Sequence, residues 1–86
     1  MYKLMYSKLA LKDAKKLEMS HLKEKAQKIL DIIAQNPHQT PPPYEKLIGK
    51  LANSYSRRIN IQHRIVYTIL EAEKTIKIIR MWTHYE

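Results

Sequence analysis

The chain contains no cysteine and only one glycine, Gly49. The absence of cysteine excludes disulfides, thiolate metal sites and cysteine nucleophiles. The unbroken apolar runs of the chain are only a few residues long, far below the roughly 20 residues that a membrane-spanning helix needs. The stretch from Met1 to Ala10 alternates polar and apolar side chains where a secretory signal would be apolar throughout. The sequence therefore predicts a cytoplasmic protein whose chemistry uses oxygen and nitrogen atoms.

Positive charge dominates the composition. Sixteen Lys and Arg residues against eight Asp and Glu give a formal net charge of +8, and the pI is near 9.8. An 86-residue chain is too short to divide its apolar residues between two cores, so residues 1–86 are expected to form one domain. The charge favours a polyanionic or acidic partner, although a solvated lysine-rich surface would have the same composition.

The N-terminal half predicts one strand and two helices. Tyr2, Leu4 and Tyr6 alternate with polar or flexible neighbours, which is typical of a short strand. Ser7 is a suitable N-cap for a helix over Lys8–Met19. A second helix is expected from Ser20, because apolar residues recur at helical spacing, and it should end before Asn36-Pro37. The periodic positions are Leu22, Ala26, Ile29, Leu30 and Ile33.

The C-terminal half predicts three strands. Three consecutive prolines stiffen the segment His38–Tyr44, here called the proline strap. The strand candidates that follow are joined by short links, which permit only antiparallel hairpins. They are Tyr55–Asn60, Arg64–Leu70 and Thr75–Tyr85. The element order β-α-α-β-β-β predicts an α+β fold, in which an antiparallel sheet carries the two N-terminal helices on one face.

All four arginines of the chain lie in the predicted C-terminal strands, as Arg57, Arg58, Arg64 and Arg80. Arginine binds phosphate in a bidentate manner, whereas lysine is the more general solubilising charge. A three-residue hairpin loop would place Arg58 on the same face as Arg64, and a two-residue loop would place Arg57 there instead. Either register predicts a two-arginine phosphate clamp, and a solvated sheet face is the alternative.

Three further side chains could take part in chemistry. Glu45 is the one carboxylate between Asp31 and Glu71, and it is flanked by cations, so it could accept a proton or form a loop salt bridge. His84 could transfer a proton near neutral pH or be an ordinary surface residue. Tyr85 could stack on a base or pack on a neighbour.

Taken together, these residues form a recognisable pattern. Ser56-Arg57-Arg58-Ile59, His63-Arg64-Ile65-Val66-Tyr67, the terminal His84-Tyr85 and the Pro-x-Glu-x-Leu segment around Glu45 closely resemble the Txe/YoeB family of toxins in the RelE superfamily. The resemblance extends over essentially the whole chain and implies a RelE-like fold. It also implies a ribosome-dependent endoribonuclease that cleaves mRNA in the A site, and an acidic antitoxin partner of the YefM or Axe type.

The resemblance also implies residue roles. Glu45 corresponds to the proposed general base of the family, Arg58 and Arg64 to its phosphate-binding arginines, His84 to its proposed general acid, and Tyr85 to its terminal tyrosine. Further RNA contacts are expected from Arg57, Lys46 and Lys50, and either lysine could replace the one that family members often carry where this chain has Ile48. Trp82 stands where an arginine is common, and Glu86 follows the terminal tyrosine.

The same residues suffice for RNA cleavage by acid–base chemistry, which needs a base, an acid and cations. The sequence has no cluster of His, Asp and Glu at metal-ligand spacing, so no metal and no other cofactor is expected. Two alternatives remain at this stage. The first is a non-catalytic module that binds nucleic acid, and the second is an inactivated family member that still binds an antitoxin.

Overall fold

The computed structural model describes residues 1–48 and 53–81, and these form two helices and a five-stranded sheet. In chain order the elements are β1 (Lys3–Tyr6), α1 (Lys8–Met19), α2 (Lys23–Gln35), β2 (Glu45–Lys46), β3 (Ser54–Arg58), β4 (Arg64–Leu70) and β5 (Thr75–Arg80). A single 3-10 turn, Glu71–Glu73, links β4 to β5. Neither helix is long and apolar enough to cross a membrane.

The first helix has the predicted bounds. The Ser7 hydroxyl accepts a hydrogen bond from the Ala10 amide at 3.0 Å, as an N-cap should. The second helix begins at Lys23, three residues after the predicted Ser20. Ser20 instead ends α1, because its amide donates to carbonyl groups of the last turn of that helix. His21 then reverses the chain with a positive φ of 59°.

The predicted α+β class is confirmed, and the sheet differs from the prediction in two details. Its strand order is β1-β5-β4-β3-β2, and β1 runs parallel to β5, so the sheet is mixed and not wholly antiparallel. A parallel pair needs a long crossover connection between its strands. Here α1 and α2 carry the chain from β1, at one edge of the sheet, to β2, at the other edge. The fifth strand, β2, is one for which the sequence predicted no element, and it pairs antiparallel with β3.

One face of the sheet carries the hydrophobic core. The inward residues of β4 and β5 pack with the periodic residues of both helices in a single cluster. The buried members are Ala10, Leu17, Ala26, Ile29, Leu30, Ile33, Ile59, Ile65, Tyr67, Ile69, Ile76, Ile78 and Met81. Strand side chains alternate, so one set of paired residues projects to the opposite face, here called the open face. These residues are Ser54, Ser56 and Arg58 of β3 with Thr68, Val66 and Arg64 of β4.

An ion pair between a buried carboxylate and a partly exposed arginine fixes the end of β5 to α1. Asp13 is 1% exposed, and its carboxylate accepts hydrogen bonds from Arg80 Nε at 2.8 Å and from the Met81 amide at 3.0 Å. The carboxylate therefore satisfies both a guanidinium and a backbone donor where the sheet strand ends. Arg80 has this role in the fold and is not part of the open-face arginine pair described below.

Replacing Asp13 with Ala is expected to lower the free energy of unfolding by about 2–3 kcal/mol, because it leaves a charged donor and a buried amide without their acceptor. The partly exposed Arg80 guanidinium recovers some hydration, which limits the loss. Urea denaturation followed by circular dichroism measures the effect. Asp31→Ala is the control: Asp31 is an exposed carboxylate on α2, and its loss should change stability by no more than about 0.5 kcal/mol. Equal effects of the two substitutions would contradict this role of Asp13.

Candidate functional site

The β3–β4 hairpin places two arginines directly opposite each other. Arg58 pairs with Arg64, whereas Arg57 pairs with Ile65 and therefore projects to the other face. The connection runs from Ile59 to His63, two residues longer than the longer predicted loop, and the Ile59 amide closes it by donating to the His63 carbonyl at 2.7 Å. Of the two registers that the sequence left open, the structure has the one that places Arg58 on the same face as Arg64, with a longer loop than either predicted.

The glutamate joins this face through the short strand β2. Glu45 pairs with Ser56 of β3, which in turn pairs with Val66 of β4, so all three project to the open face with Arg58 and Arg64. Arg64 Nη1 lies 3.5 Å from Glu45 Oε1. Residues that are far apart in the sequence thus meet at one place, because an edge strand brings the end of the proline strap beside the hairpin.

The Glu45 carboxylate is accessible. Its side chain is 62% exposed, and a separation of 3.5 Å from the guanidinium is at the long limit for a hydrogen bond. Such an exposed contact contributes little to stability. The carboxylate therefore keeps lone pairs available to an incoming hydroxyl group.

The arginine pair favours an anionic ligand. Like charges that face each other across an antiparallel pair destabilise the sheet, and Glu45 can neutralise only one of the two guanidinium groups. The Ser56 hydroxyl lies 3.4 Å from Arg64 Nη1 and adds a neutral polar group between the strands. A phosphate placed over Arg58 and Arg64 would relieve their repulsion and accept their N–H groups in a fork geometry.

Arg57 does not belong to this surface. It is 1% exposed, and its guanidinium donates to the carbonyl groups of Pro37 and Pro42 and to the Tyr67 hydroxyl. Burial raises the pKa of Tyr67, and the hydrogen bond from Arg57 opposes only part of that shift, so the phenol stays protonated at neutral pH. The expectation that Arg57 contacts RNA does not fit this environment, because all three nitrogens of its guanidinium donate hydrogen bonds within the protein.

The remaining predicted residues fall in two groups. Lys46 is exposed but pairs with Tyr55, so its side chain starts from the sheet face opposite to that of Glu45. It does not lie beside the carboxylate and the arginine pair, and any RNA contact that it makes would be peripheral. Lys50, Trp82, His84, Tyr85 and Glu86 lie outside the described residues.

Ser56 is a site residue that sequence reasoning left without a role. It occurred in the recognised Ser56-Arg57-Arg58 motif, but only the pairing of β2 with β3 shows that its hydroxyl stands between Glu45 and Arg64. A period-two reading of β3 does place Ser56 and Arg58 on one face. That reading would have found Ser56 once the strand of Glu45 was known.

Comparison with known proteins gives a consistent assignment. A family model described as the YoeB-like toxin of bacterial type II toxin-antitoxin systems matches residues 6–85. The toxin YoeB of Synechocystis is 38% identical over 58 residues, which cover 67% of this chain and 65% of that relative's length.

Solved structures agree over nearly the full chain. A YoeB/ParE toxin from Agrobacterium tumefaciens superimposes with a TM-score of 0.86 at 25% identity, covering 96% of this chain and 99% of that one. The heterotetrameric YoeB-YefM toxin-antitoxin complex from Staphylococcus aureus gives a TM-score of 0.81 at 32% identity, with 99% of both chains covered. This chain therefore belongs to the YoeB-like toxins of bacterial type II toxin-antitoxin systems.

Proposed function

We propose that this toxin is an endoribonuclease that cleaves mRNA in the ribosomal A site and thereby inhibits translation. The observation that carries the proposal is the convergence of Glu45 with Arg58 and Arg64 on one open sheet face, with 3.5 Å between Glu45 Oε1 and Arg64 Nη1. A carboxylate beside two guanidinium groups provides a proton acceptor next to a binding site for the scissile phosphate.

The reaction is an attack of the RNA on its own backbone. Glu45 removes the proton of a 2′-hydroxyl, and the resulting oxygen attacks the adjacent phosphorus. The bond from phosphorus to the 5′-oxygen then breaks, and that oxygen takes a proton from His84. Arg58 and Arg64 stabilise the charge that collects on the non-bridging oxygens, as fixed cations do at a developing oxyanion. Tyr85 stacks on a neighbouring base.

The charge of the chain supports its proposed partners. A net charge of +8 favours association with ribosomal RNA, and Lys46 and Lys50 add peripheral contacts. The same charge favours an acidic antitoxin of the YefM type, and the similar toxin from Staphylococcus aureus was solved in complex with YefM. Because translating ribosomes and their mRNA are the proposed targets, the toxin acts in the cytoplasm.

Cleavage is expected to require ribosomes, because two arginines and one stacking side chain offer a single RNA strand few contacts. Purified toxin is mixed with ribosomes stalled at a defined codon or with the same mRNA alone, and cleavage sites are mapped by primer extension. We expect a cut in the A-site codon with ribosomes and at least ~10²-fold slower cleavage of free mRNA, the factor that positioning of a substrate can supply. Comparable rates on the two substrates would refute ribosome dependence.

The same assay tests for a resident metal. Within residues 1–48 and 53–81 no three His, Asp or Glu side chains are grouped so as to hold a metal ion, and acid–base chemistry does not need one. Toxin dialysed against EDTA and returned to magnesium buffer with intact ribosomes should cleave at the undialysed rate. Lost activity that returned on addition of zinc or manganese would show that a bound metal takes part.

A further inference from the structure

Arg57 is an unusual buried residue. It is 1% exposed, and among the described residues no carboxylate pairs with it. Its partners are two carbonyl oxygens, one phenol and one aromatic ring. A charged side chain is costly to bury, and it carries no substrate contact in the site described above. Its position therefore calls for a different role.

The guanidinium binds both the proline strap and Pro37, the residue immediately before it. Nη2 donates to the Pro37 carbonyl at 2.8 Å, and Nη1 donates to the Pro42 carbonyl at 2.6 Å. The third donor, Nε, bonds the Tyr67 hydroxyl at 3.0 Å, and that hydroxyl lies 3.4 Å from the Pro37 carbonyl. Three donors in one plane thus fix the strap to β3 and β4, an arrangement that a tetrahedral ammonium group cannot reproduce.

The contact continues to the residue before Glu45. Arg57 Cζ lies 5.0 Å from the centre of the Tyr44 ring, a cation–π distance. The Tyr44 ring also meets the Tyr55 ring edge to face, with 5.5 Å between the centres. The chain is therefore held at Tyr44, immediately before β2 begins.

The strand that carries Glu45 needs such an anchor. It has two residues, Glu45 and Lys46, and among the strands that the structure describes it is an edge strand that pairs with β3 alone. The next amide along the chain, that of Leu47, donates to the Ser54 carbonyl at 2.8 Å. So short a strand specifies its own register weakly, and a slip by one residue would turn Glu45 to the face away from Arg64.

We propose that Arg57 is a positioning residue, which holds the proline strap so that Glu45 pairs with Ser56 and its carboxylate faces Arg64. The positioning of Glu45 is a structural claim, whereas its consequence for cleavage rests on the proposed function. The two claims are tested separately, by hydrogen exchange and by kinetics.

Arg57→Lys keeps the charge but not the planar set of donors, so it separates geometry from electrostatics. Tyr67→Phe removes one partner of the guanidinium and keeps the ring. The control is Tyr2→Phe, which removes a phenol whose hydrogen bond to Glu71, at 2.8 Å, lies at the other edge of the sheet. All three variants are first compared with wild type by circular dichroism.

Hydrogen exchange followed by NMR reports on the register of β2. In Arg57→Lys the Leu47 amide should exchange at least ~10-fold faster than in wild type, while amides shared by β4 and β5 keep their protection. Tyr67→Phe should change the same amide in the same direction by a smaller factor, and Tyr2→Phe should leave it unchanged. Wild-type exchange of Leu47 in Arg57→Lys, or uniform acceleration across the sheet, would overturn the proposal.

Kinetics on stalled ribosomes then tests the consequence for cleavage. The single-turnover rate of Arg57→Lys should fall by about 10- to 10²-fold, the effect of a misplaced catalytic group, while the toxin concentration for half-maximal rate stays the same. An unchanged rate beside faster Leu47 exchange would show that the register of β2 does not govern catalysis. A wild-type toxin that cleaved nothing would refute the proposed function and leave the exchange result valid.

Discussion

Replacing Arg64 with Ala is expected to slow cleavage on stalled ribosomes by about 10²- to 10³-fold, the loss typical when one group that stabilises a developing oxyanion is removed. Arg64 faces Arg58 across the hairpin and lies 3.5 Å from Glu45. Its removal therefore takes away a proposed phosphate contact and a cation beside the proposed base. Single-turnover cleavage at saturating toxin measures the effect on the chemical step.

Two further variants separate geometry from charge. Arg64→Lys keeps the charge without the fork, so it should recover only part of the rate. Lys77→Ala removes one exposed positive charge from β5, at a residue that pairs with Thr68 of β4 and not with Arg58 or Arg64, and it should cleave at nearly the wild-type rate. If Lys77→Ala and Arg64→Ala lost activity equally, general electrostatic attraction would explain the effect better than a specific phosphate contact.

The same substitution has a second readout in antitoxin binding. If an acidic antitoxin covers the open face, Arg64→Ala should weaken neutralisation as well as toxicity, chiefly through faster dissociation of the complex. Titration of toxin variants with the antitoxin, monitored by calorimetry, measures this. An antitoxin that bound Arg64→Ala with unchanged affinity, and protected only the helices from hydrogen exchange, would show that neutralisation does not require covering the site.

Local sequence patterns were sufficient for much of the fold. Ser7 and the spacing of apolar residues define α1 because capping and amphipathic periodicity act within a few residues. Strand β4 has its predicted bounds, Arg64–Leu70, because Ile65, Tyr67 and Ile69 alternate toward the core. The same alternation places Arg58 and Arg64 on one face once the hairpin is closed.

The remaining features depend on contacts between distant parts of the chain. Two exposed residues after a run of prolines carry no periodicity, so β2 could not be recognised before its partner β3 was in place. Arg57 and Arg58 are adjacent and chemically identical, and the buried one is identified by its hydrogen bonds to the carbonyl groups of Pro42 and Pro37, 15 and 20 residues away in the sequence. The alternation in β1 likewise does not specify a parallel partner at the far end of the chain.

Removing the proposed proton donor or proton acceptor is also expected to cause a large loss of cleavage activity. With His84 as the acid, His84→Ala should lose about 10²-fold or more in the single-turnover rate while ribosome binding is retained, because a positioned proton donor contributes to the transition state alone. Glu45→Gln should lose a similar factor through the missing base. His21→Asn is the matched control, since His21 is an exposed histidine with a positive φ that asparagine tolerates.

The pH dependence of the cleavage rate in the variants distinguishes the group that donates the proton from the group that accepts it. In the proposed mechanism, cleavage by wild type requires an ionised Glu45 and a protonated imidazole, so its rate should pass through a maximum and fall as the imidazole loses its proton at higher pH. His84→Ala should lose the alkaline decline and keep the acidic one, whereas Glu45→Gln should do the reverse. A His84→Ala toxin that kept both its rate and the alkaline decline would remove the acid role from His84. Stabilisation of the phosphate by Arg58 and Arg64 would then be the main source of catalysis, because these arginines stay charged throughout the accessible pH range.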